Sequence, residues 1–251
     1  MPNLFEAIAL AIIQGLTEWF PISSSGHLVI VQQLFKIKAS VAFDVMLHLG
    51  TLMAVVYFLR KDIAKLLKFD EESRRMVAYI ICGSLPIALL GFAFKSFFES
   101  LFSNLFAVVL ALILNGFILY LTKFFQGREK LNFSKAFVIG LAQAFSIVPG
   151  ISRSGATISA GLMNKIDKKQ AFKFSFLLSI VAILGATLLK IGEIDFSSEP
   201  VESILLGIAV SALVGFFALK TVAKLVLTGN FHKFAYYCWL LGLLILLLSF
   251  L

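Results

Sequence analysis

Apolar residues fall in long blocks along this chain. Six of them, Val41–Leu59, Met76–Phe94, Asn104–Thr122, Ala171–Leu189, Ser203–Leu219 and Phe234–Leu251, are each about 17–20 residues long, enough for a helix to cross a hydrocarbon core about 30 Å thick. Two further apolar stretches, Leu4–Phe35 and Ser134–Met163, are each interrupted by a block rich in Pro, Ser and Gly. The interruptions are related. The first reads QGLTEWFPISSSGHL from Gln14 to Leu28, and the second QAFSIVPGISRSGAT from Gln143 to Thr157. The shift that lays Gln14 on Gln143 also lays Ile22 on Ile151, Ser23 on Ser152, Ser25 on Ser154, Gly26 on Gly155 and Ala42-Phe43 on Ala171-Phe172. A repeat at half the chain length points to duplication. It predicts one integral membrane domain over residues 1–251, with halves at approximately 1–125 and 130–251.

Composition agrees with this reading. Sixty per cent of residues are hydrophobic and 14% charged, with mean hydropathy +0.97, whereas soluble domains carry roughly a quarter charged residues. The N-terminal stretch is not expected to be a cleavable signal peptide, since it lacks a basic leader and its apolar run carries Glu6, Gln14 and Glu18. Cys82 and Cys238 lie inside predicted spans without ligand spacing and read as packing residues. The net charge of +8 sits mainly in short loops. It is therefore a topology signal, not a nucleic-acid patch, and no nucleic-acid partner is expected.

The loop charges sort by side. One set holds Arg60, Lys61, Lys65, Lys68, Arg74 and Arg75, then Lys123, Arg128, Lys130 and Lys135, then Lys165, Lys168, Lys169 and Lys173, and finally Lys220, Lys224 and Lys233. The other set holds Lys36, Lys38, Lys95 and Lys190, with the acids Glu193, Asp195, Glu199 and Glu202. The first set is cytoplasmic by the positive-inside rule, provided that each interrupted stretch enters and leaves on the same side. The expected fold class is thus an all-α polytopic membrane protein with an inverted-topology repeat. Each half is a re-entrant helical hairpin plus three transmembrane helices. Two ordinary kinked spans are the alternative, and they would spoil the division of loop charges. The hairpin tips, Pro21–Gly26 and Pro149–Gly155, should meet inside the protein, because non-helical backbone at that depth must be buried or line a cavity.

Gln14 and Glu18 are one helical turn apart and share a face. Pro21 ends that helix, Ser23, Ser24, Ser25 and Gly26 form a loop, and His27 opens the next run. In the second block Pro149-Gly150 breaks the helix and Ser152-Arg153-Ser154-Gly155 forms the loop. Each loop precedes a helix N-terminus, where free N–H groups and the dipole favour an anion, and Arg153 adds a planar fork matched to phosphate. A structural Glu18–Arg153 salt bridge is the plainer alternative. It does not account for Ser23, Ser24, Ser25 and His27 beside it, which are equipment for proton transfer and nucleophilic attack.

EWFPISSSGH preceded by Gln14, together with PGISRSG in the second half, resembles the undecaprenyl-diphosphatase (bacitracin-resistance) family. That family's first motif is (E/Q)-x-x-x-E followed by a Ser-rich loop and His, and its second is P-G-x-S-R-S-G. FDVMLHLGTLMAV from Phe43 to Val55 resembles the family too, so the likeness covers essentially the whole chain. Gln14 takes the amide option, which removes support from any scheme needing two carboxylates there.

The resemblance implies hydrolysis of undecaprenyl diphosphate to undecaprenyl phosphate and inorganic phosphate, recycling the carrier for cell-wall synthesis and opposing bacitracin. It implies Glu18, Ser24, His27 and Arg153 as catalytic residues. Ser23, Ser25, Gly26, Ser152, Ser154 and Gly155 are expected around the phosphates. Glu18 and Gln14 are expected to hold a divalent cation, Mg²⁺ or Ca²⁺, by hard oxygen ligation. Ser24 or a water is the expected nucleophile, with His27 relaying the proton. The implied location is the bacterial inner membrane, with the site open to the outer face, and small residues in the spans permit a homodimer. A lipid-phosphate flippase or anion transporter is the competing function, since inverted repeats with broken helices serve transport as well. Asp44 and His48, one turn apart, are expected to form a hydrogen bond that orients helices, or else a metal or proton site. Trp19 is expected to line the cavity or to pack.

Overall fold

The computed structural model describes residues 3–37, 39–125, 127–190 and 200–248. Lys38, Glu193, Asp195, Glu199 and the end of the last predicted span, residues 249–251, lie outside the described residues. Within them the chain is almost entirely α-helical. The helices are α1 (Leu4–Trp19), α2 (Ser24–Phe35), α3 (Val41–Phe58), α4 (Arg60–Leu66), α5 (Glu71–Ala93), α6 (Lys95–Phe102), α7 (Leu105–Leu121), α8 (Phe133–Phe145), α9 (Arg153–Met163), α10 (Lys168–Lys190), α11 (Val201–Leu227) and α12 (Phe234–Leu248).

Helix starts follow from short polar residues that accept the first free amides. Asn3 caps α1 in a capping box with Glu6, and Ser40, Asp70, Asn104 and Asn132 cap α3, α5, α7 and α8. Five helices are long and apolar enough to cross a membrane, and α3 with α4 makes a sixth if that pair, bent by 73°, is one span. These are the six predicted spans. The bend after α3 and the short helix α6 are additions that the apolar blocks did not announce. The outward faces are greasy: Phe92 is 80% and Leu240 72% exposed, as lipid-facing side chains must be.

The interrupted stretches each fold into two short helices packed on one another, α1 with α2 and α8 with α9. The expected loops are shorter, however. Ser24, Ser25 and Gly26 form the first turn of α2 and Arg153, Ser154 and Gly155 that of α9, because Ser23 and Ser152 already cap those helices. Each hairpin leans on the other half of the chain: α1 packs along α11 and α8 along α5, while α7 pairs with α12 and α3 with both α10 and α11. Lipid offers no hydrophobic drive for these pairs, so they close where small residues let backbones approach. A Cβ on Gly15 would sit 2.9 Å from the Ser211 carbonyl oxygen, and one on Gly140 2.8 Å from the Gly83 Cα. The small residues offered by the sequence for self-association are thus largely engaged within the chain.

Gly50 makes the tightest of the α3–α11 contacts. A Cβ there would overlap Ser211 Oγ and lie 2.5 Å from the Ile208 carbonyl oxygen, both on α11. Gly50→Ala is expected to lower stability by about 1–3 kcal/mol through overpacking, read as a lower midpoint in thermal unfolding in detergent. An unchanged midpoint would mean that α3 and α11 separate freely.

Candidate active site

The two hairpin tips meet in the interior. Ser23 caps α2 by accepting from Gly26 N–H at 3.2 Å and also accepts from Gly150 N–H of the other tip at 3.1 Å. Ser152 caps α9 in the same way, accepting from Gly155 N–H at 3.1 Å, and Ser154 Oγ donates to the Trp19 carbonyl at 3.1 Å. The close approach explains two special positions. Gly150 has φ +103° and no room for a Cβ against the Val108 carbonyl, and a Cβ on Gly26 would lie 3.3 Å from the Gly150 Cα. Ser23 holds φ +68°, an unfavourable conformation for a residue with a side chain, kept there by the hydrogen bonds it makes to both tips.

Glu18 is the centre of this junction. Its carboxylate pairs with Arg153 across the two halves and accepts from Ser24 Oγ at 2.7 Å and from Gln14 Nε2 at 3.1 Å. His48 Nε2 stands 3.6 Å away on α3. The Arg153 guanidinium lies over the Trp19 ring, 5.6 Å from its centroid. Trp19 is fully buried and packs on Phe176, so it is a platform for the arginine rather than a cavity wall. A buried ion pair costs desolvation, and here the hydroxyl, the amide and the ring share the compensation. The salt bridge considered as the plain alternative is therefore real, yet it lies against the serine-rich first turn of α2.

His27 points elsewhere. Its Nδ1 lies 2.8 Å from the Ser23 carbonyl and its Nε2 2.8 Å from the Tyr237 hydroxyl of α12. A carbonyl can only accept, so Nδ1 carries the proton and the Tyr237 hydroxyl donates to Nε2. His48 is oriented similarly, its Nδ1 donating at 2.8 Å to the backbone carbonyl of Asp44. The expected i,i+4 link thus runs to the Asp44 main chain, and it aims His48 at Glu18. Gln32 Nε2 reaches Asp44 Oδ1 at 3.4 Å.

Of the expected phosphate-lining residues, Ser23, Ser152 and Ser154 have hydroxyls engaged in caps and cross-tip bonds, and Ser25 lies 3.2 Å from Ser23 Oγ. Ser24, Ser25, Arg153 and His48 are partly accessible, while Gln14, Glu18 and His27 are buried. The open side of the junction is therefore where the starts of α2 and α9 face α3.

Sequence reasoning missed Asn115. It sits in the middle of α7, fully buried, and joins both tips: Nδ2 donates to the Pro21 carbonyl at 2.8 Å and Oδ1 accepts from Ser152 N–H at 3.0 Å. The signal was present as a single amide in the otherwise apolar run LALILNGFILYL. Tyr237, by contrast, had no such signal. Asn115→Ala leaves the buried Ser152 N–H without a partner, at about 1–3 kcal/mol, and the Pro21 carbonyl with only the Cys238 thiol at 3.9 Å. A lower unfolding midpoint together with reduced turnover is expected, and retention of both would show that the tips register without it.

Fold and junction together define an all-α, multi-pass membrane protein whose buried acid meets a partly accessible arginine and serine where two broken hairpins come together. The chain belongs to the family described as Bacitracin resistance protein BacA, whose model matches residues 7–244. It is 40% identical over 257 residues to an undecaprenyl-diphosphatase of Carboxydothermus hydrogenoformans, and 39% identical over 257 residues to one of Halothermothrix orenii, with 98% of each chain covered in both cases. An undecaprenyl-diphosphatase of Korarchaeum cryptofilum is 37% identical over 263 residues, covering 97% of this chain and 98% of that one.

Proposed function

We propose that this protein hydrolyses undecaprenyl diphosphate to undecaprenyl phosphate and inorganic phosphate, returning the lipid carrier to cell-wall synthesis and conferring bacitracin resistance. The observation that carries the chemistry is the Ser24–Glu18–Arg153 chain, a hydroxyl donating to a carboxylate that an arginine neutralises. The substrate's diphosphate enters on the open side and competes with Glu18 for Arg153, whose fork grips phosphate oxygens as well as a carboxylate. Glu18, released from its counter-ion, then becomes the base for Ser24.

Ser24 Oγ attacks the terminal phosphorus and its proton passes to Glu18. The bond from that phosphorus to the bridging oxygen breaks, and undecaprenyl phosphate leaves with the electron pair. Water then hydrolyses the phosphoserine and frees inorganic phosphate. His27 was expected to relay this proton. The nearer acceptor is Glu18, and His27, held between Ser23 and Tyr237, positions the loop. The transporter reading has less support, because binding alone needs no hydroxyl poised on a carboxylate.

A divalent cation fits this set as a guest of the diphosphate. No cluster of three or more His, Cys, Asp or Glu occurs among the described residues, but Gln14 Oε1 is buried without a hydrogen-bond partner. Glu18, and Gln14 once its amide turns so that Oε1 rather than Nε2 faces Glu18, would hold Mg²⁺ or Ca²⁺ together with substrate phosphates and water. Bound there, the ion would neutralise charge developing on the phosphates.

The loop charges support halves inverted across the membrane, the family resemblance supports the bacterial inner membrane with the junction open to the outer face, and a homodimer is compatible with this arrangement. The test is phosphate release from a polyprenyl diphosphate by detergent-purified protein with and without EDTA. Metal-dependent release is expected. No release from folded protein across several metals would overturn the reading and favour transport.

A further inference from the structure

His48 takes no part in the attack on phosphorus, yet it is aimed at the acid that does. It stands on α3 at the open side of the junction, with its side chain 34% exposed. Its Nδ1 donates to the Asp44 carbonyl at 2.8 Å, so in the neutral ring Nε2 carries a lone pair. That nitrogen accepts no hydrogen bond among the described residues, and it faces Glu18 Oε2 at 3.6 Å. His27 differs, since both its ring nitrogens are engaged, by Ser23 and Tyr237.

Two acceptors that face one another repel until a cation joins them. A third acceptor stands beside this pair. The Gln14 amide lies 3.1 Å from the same Glu18 oxygen, and its Oε1 is fully buried without a hydrogen-bond partner. A proton on His48 Nε2 would relieve the first pair but would leave the amide oxygen as it is. One metal ion relieves all three. The spacing agrees, because two ligands each about 2.1–2.4 Å from a shared ion stand about 3–4 Å apart. The Nδ1–H bond to a main-chain carbonyl is also the support that fixes the tautomer and direction of metal-binding histidines.

We propose, on the basis of the hydrolase reading above, that His48 Nε2 is a further ligand of the divalent cation that Glu18 and Gln14 would hold. The site is then one of mixed nitrogen and oxygen donors, shared between α1 and α3. Such a donor set changes which ion is favoured. Imidazole suits first-row transition ions, whereas Mg²⁺ and Ca²⁺ prefer oxygen throughout. Mn²⁺ is therefore expected to bind ahead of Ca²⁺. A histidine that served only to orient α3 would need its Nδ1 bond but not an open lone pair on the carboxylate.

The test is pulsed EPR of Mn²⁺ on the full-length protein without a histidine tag, in detergent, with a polyprenyl methylenediphosphonate as a non-hydrolysable substrate. Coupling to ³¹P reports the phosphates, and coupling to ¹⁴N reports a ligating imidazole. Wild type and H27Q are expected to show both. H48Q should lose the ¹⁴N coupling, keep the ³¹P coupling and bind Mn²⁺ at least about tenfold more weakly by calorimetry, with Ca²⁺ binding little changed. Should H48Q lose the ion or its fold, the ¹⁴N coupling retained in H27Q still assigns the nitrogen to His48, since His232 lies exposed in a distant loop. A ³¹P signal without ¹⁴N in wild type, ¹⁴N coupling that survives in H48Q, or its loss in H27Q would overturn the ligand assignment and leave the hydrolase reading intact. Mn²⁺ that fails to bind folded wild type, or binds without ³¹P coupling, would overturn the assignment together with the metal reading beneath it.

Discussion

Arg153→Ala is expected to lower turnover of the diphosphate by about 10³-fold or more, the scale on which an arginine that neutralises a transferring phosphoryl group acts. The same change leaves Glu18 as a buried carboxylate that has lost its arginine and keeps only Ser24, Gln14 and His48 beside it. Breaking such a pair from one side costs about 3–5 kcal/mol, so a lower unfolding midpoint accompanies the lost activity. The two effects separate in a double variant. R153Q/E18Q removes both charges and should recover most of the stability, while turnover stays at the floor because phosphate binding and the base are both gone. Arg153→Lys keeps the charge but not the fork, and intermediate activity is expected. If R153Q/E18Q regained turnover along with stability, the pair would be a structural strut and the site would lie elsewhere. Phosphate release and thermal unfolding on the same preparations decide between these outcomes.

Ser24→Ala is expected to reduce turnover by about 10⁴-fold, as removal of a nucleophile does when no other group can take its place. Its effect on stability should be small, since Ser24 is partly accessible and the carboxylate keeps Arg153 and Gln14 as partners. Rapid quench of the wild type with a terminally labelled diphosphate should trap phosphate on Ser24. Residual activity within tenfold of the wild type, with no trapped phosphoserine, would assign the attack to water and leave Ser24 as a phosphate ligand. Tyr237→Phe offers a contrast. It removes only the donor to His27 Nε2, and a milder loss of activity would fit a positioning role for that pair.

Much of this protein was legible in one dimension. The six apolar blocks became the six spans because a lipid-crossing helix must satisfy its own backbone and can be read from length and hydropathy alone. The Pro/Ser/Gly interruptions became helix breaks because Pro21, Gly150 and the caps Ser23 and Ser152 act within a few residues of themselves. The repeated motif and the cost of burying Glu18 and Arg153 were enough to place both in one site. What pairs across the chain was not legible. Asn115 joins the tips from a helix about 90 residues beyond Pro21 in one direction and about 40 before Ser152 in the other, and Tyr237 reaches His27 from the last span. Both contacts depend on how helices pack, which no local pattern encodes. The hydrogen-bond partner of the Ser24 hydroxyl is of the same kind. Sequence offered His27, three residues away, but the turn of the helix aims that ring at Tyr237 and brings Glu18, from the preceding helix, to the hydroxyl. Local chemistry thus determined which residues could act, and the meeting of two hairpins from opposite halves decided which of them touch.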